Sequence, residues 1–202
     1  MSILLEAKKG HILLQENVNK IPSSKQAIKT IENTLLPHQK LFCDDISHRK
    51  LALVCGFGAG KTVALIAKSI ILAAKNIGYV SALFEPTSVM LRDVLHRSMI
   101  ELLDEWQIPF TYRASPMPEV QITFAEGTHL ILFRTILNYQ RLRGQNLCSI
   151  GFDEADTIGT YEAGQAMNMA LARLRSGNVQ QFFVTTTPEG FGFAHKTFKK
   201  EA

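Results

Sequence analysis

The stretch from Leu51 to Thr62 constrains this chain more than any other feature. Leu51-Ala52-Leu53-Val54 is a short, continuous apolar run, the pattern of a strand buried on both faces of a parallel sheet. It leads directly into Cys55-Gly56-Phe57-Gly58-Ala59-Gly60-Lys61-Thr62, and a helical pattern follows from Lys61 to about Asn76. Strand, glycine-rich turn and helix in that order make a phosphate cradle, the G-x-x-x-x-G-K-[ST] pattern, with Cys55 standing where the first glycine is usual. Cys55 fits there if its φ is negative. Gly56, Gly58, Gly60 and the small Ala59 let successive N–H groups curl around a polyphosphate, and Phe57 lies in the same loop. The helix start adds its dipole and free N–H groups. Lys61 is expected to neutralise the β and γ phosphates, and Thr62 to present its hydroxyl to Mg²⁺.

A second segment completes this chemistry. Leu147 to Phe152 is an apolar strand that ends in Asp153-Glu154. A strand buried on both faces does not normally finish in two carboxylates unless its C-terminal edge meets a cation or ligand. Asp153 suits the magnesium shell, and Glu154, one residue on, suits the orientation and deprotonation of an attacking water. A carboxylate base supplied by the protein points to a nucleotidase.

The remaining pattern alternates helices and strands. Helices are expected from Ser23 to Leu35, Pro37 to about Ser47, Ser88 to Trp106 and Tyr161 to Arg175. Strands are expected from Tyr79 to Phe84 and Gln181 to Thr185, with a β-hairpin formed by Val120–Ala125 and Thr128–Arg134. An apolar stretch at Ile12–Leu14 precedes the Pro-Ser-Ser break at Pro22–Ser24. The fold class is therefore α/β: a three-layer, RecA-like P-loop ATPase core (ASCE type) with a mostly parallel central sheet and an inserted hairpin. The chain has 202 residues, 46% of them hydrophobic and 20% charged, which excludes disorder and suits one substantial domain. Lys and Arg total 22 against 18 acids, a mild excess compatible with a polyanionic partner. Its 3 cysteines, Cys43, Cys55 and Cys148, lack metal spacing, which favours a reducing compartment. No apolar run approaches the roughly 18 residues of a membrane span, and no signal-peptide pattern opens the chain.

Three further segments carry a resemblance. Pro37-His38-Gln39 lies before the phosphate loop, Gln140-Arg141-Leu142-Arg143-Gly144 before the acidic strand, and Thr185-Thr186-Thr187-Pro188-Glu189-Gly190 at the last strand. With the phosphate loop and Phe152-Asp153-Glu154-Ala155, the chain resembles the ATPase domain of the large terminase subunit of tailed bacteriophages, from about Leu36 to Phe193. The resemblance implies ATP and Mg²⁺ as cofactors, Gln39 as the adenine-recognising glutamine, and Arg143 as an arginine finger reaching a neighbour in trans, with Arg141 as its local rival. It implies that Thr185, Thr186 and Thr187 form a coupling motif. Many terminases carry Arg where Phe57 stands, so a finger in cis from that position is absent.

The resemblance also implies the wider setting. Residues 1–36 would be an extension packed on the motor, 37–193 the ATPase domain and 194–202 the start of a lid or linker. A terminase nuclease needs several converging carboxylates. After Glu162 only Glu189 and Glu201 remain, so that domain is expected to be absent here. Expected partners are double-stranded DNA, a portal protein and a small terminase subunit, with a homo-oligomeric ring when assembled, a monomer in isolation, and no membrane. The expected location is the cytoplasm of an infected bacterial host, at the procapsid and not in the mature virion. Arg92, Arg97, Arg113, Arg173 and Arg175 are candidates for a DNA-facing basic surface. The competing readings are a helicase-like ATPase of another family and a nucleotide-gated DNA-binding or assembly module. The first would normally need a second RecA-like lobe, and the second has less use for Glu154.

Overall fold

The computed structural model describes residues 21–115 and 117–199. The apolar stretch at Ile12–Leu14 lies outside them, as do the last three residues of the expected lid. Seven strands form one sheet in the order β1-β7-β6-β2-β5-β4-β3. They are β1 (Lys50–Val54), β2 (Val80–Glu85), β3 (Phe110–Arg113), β4 (Glu119–Phe124), β5 (Gly127–Thr135), β6 (Ser149–Asp153) and β7 (Gln181–Thr186). The pairs β1·β7, β7·β6, β6·β2 and β2·β5 are parallel, and β5·β4 and β4·β3 are antiparallel. The expected hairpin is thus β4–β5, but β5 also pairs with β2 and belongs to the central sheet. β3 was not expected. Its signal is the alternation of Phe110 and Tyr112, which both pack on the core.

Helices cover both faces. α1 (Ser24–Glu32), α2 (Pro37–Asp44), α3 (Lys61–Lys75) and α5 (Arg97–Glu105) contribute to one apolar cluster, and α6 (Thr160–Arg173) to the other. Ser23 and Gln26 close a reciprocal capping box on α1, through bonds of 2.9 and 3.3 Å. The Ser24 N–H donates to Glu126 Oε2 at 2.9 Å, which ties α1 to the β4–β5 turn.

Two expectations need correction. β1 packs on both faces, Leu51 and Leu53 on one cluster and Ala52 on the other, but is only half-buried: it is an edge strand paired only with β7, and Val54 at its end is 44% exposed. Nor is Ser88–Trp106 one α-helix. It is α4 (Ser88–Met90), a π-helical segment Leu91–His96, and α5. Leu91, Leu95, Met99 and Leu103 are all buried, a four-residue spacing that an α-helix of about 3.6 residues per turn cannot keep on one face. The wider π turn absorbs the drift.

Sheet alternation sets what meets the site. In β6, Phe152 faces the α6 side, meeting Phe84 tilted at 5.1 Å and Phe182 edge to face at 4.9 Å between ring centroids. Gly151 faces α3, with Leu83 and Phe183 as its register neighbours. A Cβ there would lie 2.5 Å from the Phe183 ring and 2.7 Å from Leu83 Cδ2. Gly151→Ala should therefore destabilise the fold by about 1–3 kcal/mol through overpacking, read as a lower urea midpoint with an unchanged m-value.

Candidate nucleotide site

The site forms at the C-terminal edge of the sheet, where β1, β7 and β6 end beside the N-terminus of α3. Gly58 and Gly60 take φ of 74° and 72°, the left-handed region that glycine occupies without strain. A Cβ at Gly60 would also collide with Gln39 Nε2. Cys55 is not among the positive-φ residues, so the missing first glycine is tolerated. Its N–H donates to the Thr186 carbonyl at 3.2 Å, joining the loop to the end of β7.

The loop is braced from α2. His38 Nε2 lies 2.9 Å from the Ala59 carbonyl, and Gln39 Nε2 donates to the Gly60 carbonyl at 2.9 Å. Gln39 Oε1 accepts from the Leu36 N–H at 2.8 Å, and the side chain is buried. Both ends of this amide are therefore engaged by the chain itself. In this structure Gln39 supports the loop, and its amide keeps a second N–H and a second Oε1 lone pair beyond these two bonds. Lys68, wholly buried in α3, donates to the Cys43 carbonyl at 3.0 Å and the Asp45 carbonyl at 2.5 Å, which pins the end of α2. Burial lowers its pKa to about 8.

Lys61 is buried and folds back over its own loop. Its Nζ donates to the Gly56 carbonyl at 3.2 Å, lies 3.5 Å from Glu154 Oε1 and sits 5.5 Å from the centre of the Phe57 ring. Phe57 itself is 90% exposed. Asp153 is buried at the end of β6 and is held from two sides. The Thr62 hydroxyl donates to Oδ2 at 2.8 Å, and the Thr185 hydroxyl to Oδ1 at 2.6 Å. Burial raises the Asp153 pKa, while these two hydrogen bonds oppose the rise.

Glu154 follows at φ 45°, a backbone conformation rare for a side chain of its size. Its Oε2 accepts from the Thr187 N–H at 3.1 Å and its Oε1 from the Thr187 hydroxyl at 3.3 Å. Thr186 accepts from the Asp156 N–H at 3.1 Å. Thr185 and Thr186 of β7 and Thr187 just after it thus each touch a different acidic residue at or just after the β6 end. Asp156 was missed by sequence reading. Its Oδ1 accepts from the Ala194 N–H at 2.7 Å, tying the chain after β7 to the site.

Glu85 was missed as well, although it too is a carboxylate ending an apolar strand. It is 1% exposed, and its pKa is raised to about 9 by burial first and then by the charges of Asp153 and Glu154. Arg143 stands apart. It is exposed in the loop after the 3₁₀ segment Ile136–Leu142, and no described residue pairs with its guanidinium. Of the arginines considered for DNA, Arg97 pairs with Glu101 at 2.8 Å and Arg113 with Glu119 at 2.7 Å, so both are engaged locally.

No protein-family model matches the chain, and no curated protein matches its sequence. Solved structures do. The large terminase from the thermophilic bacteriophage D6E in complex with ADP aligns with a TM-score of 0.65 at 16% identity, over 89% of this chain and 42% of that one. The Thermus phage P74-26 large terminase ATPase domain gives 0.64 at 15% identity, over 89% and 75%. The HK97 bacteriophage large terminase gives 0.60 at 12% identity, over 90% and 42%. The chain thus spans less than half of the D6E and HK97 chains. At these identities the likeness establishes the fold: this chain has the fold of large terminase ATPase domains.

Thr185→Val keeps the shape of the side chain and leaves Asp153 Oδ1 without its shortest donor. The expected loss is about 1–3 kcal/mol. Its sign with pH follows from linkage. Asp153 already has a folded pKa above its unfolded 3.8, so its contribution is fully present below 3.8 and is lost as pH rises through the folded value. Removing a bond that lowers this pKa deepens that loss, so urea unfolding should show a larger penalty at pH 8 than at pH 5.

Proposed function

We propose that this chain is an ATP-hydrolysing motor domain of a phage large terminase, which drives double-stranded viral DNA into a procapsid. The observation that carries the reading is the convergence of Lys61, Thr62, Asp153 and Glu154 at one sheet edge, in a chain folded as terminase ATPase domains are. The D6E structures in complex with ADP and with ATP-γ-S add support for nucleotide binding by a chain of this fold.

Each residue then has a physical task. Backbone N–H groups of Gly56–Gly60 and the start of α3 receive the phosphates, and Lys61 exchanges its contacts with Gly56 and Glu154 for the γ-phosphate. Thr62 and Asp153 offer a hydroxyl and a carboxylate 2.8 Å apart, hard oxygen donors of the type Mg²⁺ takes. They fit the ion, which when bound neutralises charge on the phosphate oxygens. Glu154, freed from Lys61, turns a carboxylate oxygen to the attacking water. Thr187 reports the position of that carboxylate to β7 and, through Asp156, to the segment at Ala194. Arg143 supplies the finger to a neighbouring subunit. In this reading a homo-oligomeric ring acts with a portal protein and a small terminase subunit at the procapsid, in the host cytoplasm.

Lys61→Ala should lose tight ATP binding by isothermal titration, whereas Glu154→Gln should bind ATP and hydrolyse it about 10²–10⁴-fold more slowly. Wild-type affinity in the first variant would refute the phosphate-loop assignment. For Arg143, the informative experiment mixes Arg143→Ala and Glu154→Gln subunits under assembling conditions. Activity should return, because some interfaces then pair an intact Glu154 with a neighbour's Arg143. No recovery despite confirmed subunit exchange would place Arg143 outside a trans role.

A further inference from the structure

Glu85 is the one carboxylate at this sheet edge that the mechanism above leaves without a task. β2 runs parallel to β6 with Phe84 beside Phe152, so Glu85, the next residue, ends its strand beside Asp153. On the other side its register partner is Thr135 of β5. Alternation puts Glu85 on the same face as Leu83, which packs in the cluster under α3, and Asp153 on the same face as Gly151, the register neighbour of Leu83. Both carboxylates therefore stand on the α3 face, at the edge where Thr62 opens that helix.

What distinguishes Glu85 is its lack of a partner. Its Oε2 is buried and makes no hydrogen bond among the described residues. Asp153, by contrast, is held by Thr62 and Thr185, and Glu154 by Thr187 and Lys61. Among the described residues the charges that act on Glu85 are those of two further carboxylates, Asp153 and Glu154, which is the reverse of what a buried acid needs for structural reasons. A divalent cation beside Asp153 removes that conflict. Magnesium keeps several of its waters when one or two protein oxygens bind it, and those waters need acceptors.

Building on the reading of the site as a magnesium-nucleotide site, we propose that Glu85 is a cation-positioning residue. Its free carboxylate oxygen accepts a hydrogen bond from a water in the hydration shell of the Mg²⁺ held by Thr62 and Asp153. It does not touch the phosphates, and it fixes the ion from the β2 side as Thr185 fixes Asp153 from the β7 side.

Glu85→Gln separates this role from a structural one, because the amide mimics a buried neutral acid in size and polarity. ADP binding is measured by isothermal titration in EDTA and over a Mg²⁺ series, alongside melting curves in EDTA, for wild type, Glu85→Gln and Glu85→Asp. Glu85→Gln should melt no lower than wild type and bind ADP equally well in EDTA. It should need about 10–100-fold more Mg²⁺ for the same gain in affinity, the usual effect of removing an outer-shell partner. Glu85→Asp, which keeps the charge, should recover part of that gain. An unchanged Mg²⁺ dependence in Glu85→Gln would overturn the proposal and make Glu85 a neutral core acid. An equal loss of ADP affinity with and without Mg²⁺, or a lowered melt, would overturn it in favour of a structural role. Wild type that binds no ADP at all would refute the nucleotide reading itself, and this inference with it.

Discussion

The Asp153 carboxylate is the junction on which the site depends. It is buried, so it needs hydrogen bonds, and it finds them on two elements far apart in sequence: Thr62 at the start of α3 and Thr185 at the end of β7. That geometry requires β7 to lie between the phosphate-loop strand β1 and the acidic strand β6, which the sheet order provides. If β1 and β6 were neighbours, no threonine could stand between them. The order of strands is thus what lets the end of β7 contact both the loop and the acids.

From this junction the contacts spread in a definite pattern. Thr187 holds Glu154, Thr186 meets Asp156, and Asp156 holds the backbone at Ala194. Lys61, meanwhile, is shared between its own loop and Glu154. A phosphate that draws Lys61 away changes the charge facing Glu154, and Glu154 is bonded to Thr187, the residue that follows β7. Occupancy of the loop therefore has a short, fully bonded route to the chain beyond the sheet. In the proposed motor this is the route by which a hydrolysis event would become movement.

Much of this was legible in the sequence, and for physical reasons. Gly-rich loops, a Lys-Thr helix start and paired acids at a strand end are local patterns dictated by local chemistry, so Gly56 to Thr62, Asp153 and Glu154 stand out in the sequence, and the structure brings them together at one sheet edge. The β7 threonines were placed by resemblance alone, because their contacts are non-local and nothing in their spacing names a partner. Gln39 stood out in the sequence, but its bracing of the loop did not. Its neighbours Leu36 and Gly60 are visible only once α2 lies against the loop. Glu85 did not stand out because a lone carboxylate after an apolar strand is ordinary for an exposed turn, and only the pairing of β2 with β6 buries it. The π segment at Leu91–His96 hid in a hydrophobic spacing of four that reads as an α-helix over any short window.

The most direct measurement is backbone hydrogen exchange of the chain with and without ATP-γ-S and Mg²⁺. Protection should appear in Gly56–Thr62 and, through the Asp153 and Glu154 contacts, at Thr185–Thr187 and Asp156, reaching Ala194. Protection confined to the phosphate loop would contradict a bonded connection between the loop and the end of β7. No protection anywhere would contradict a nucleotide site at this edge.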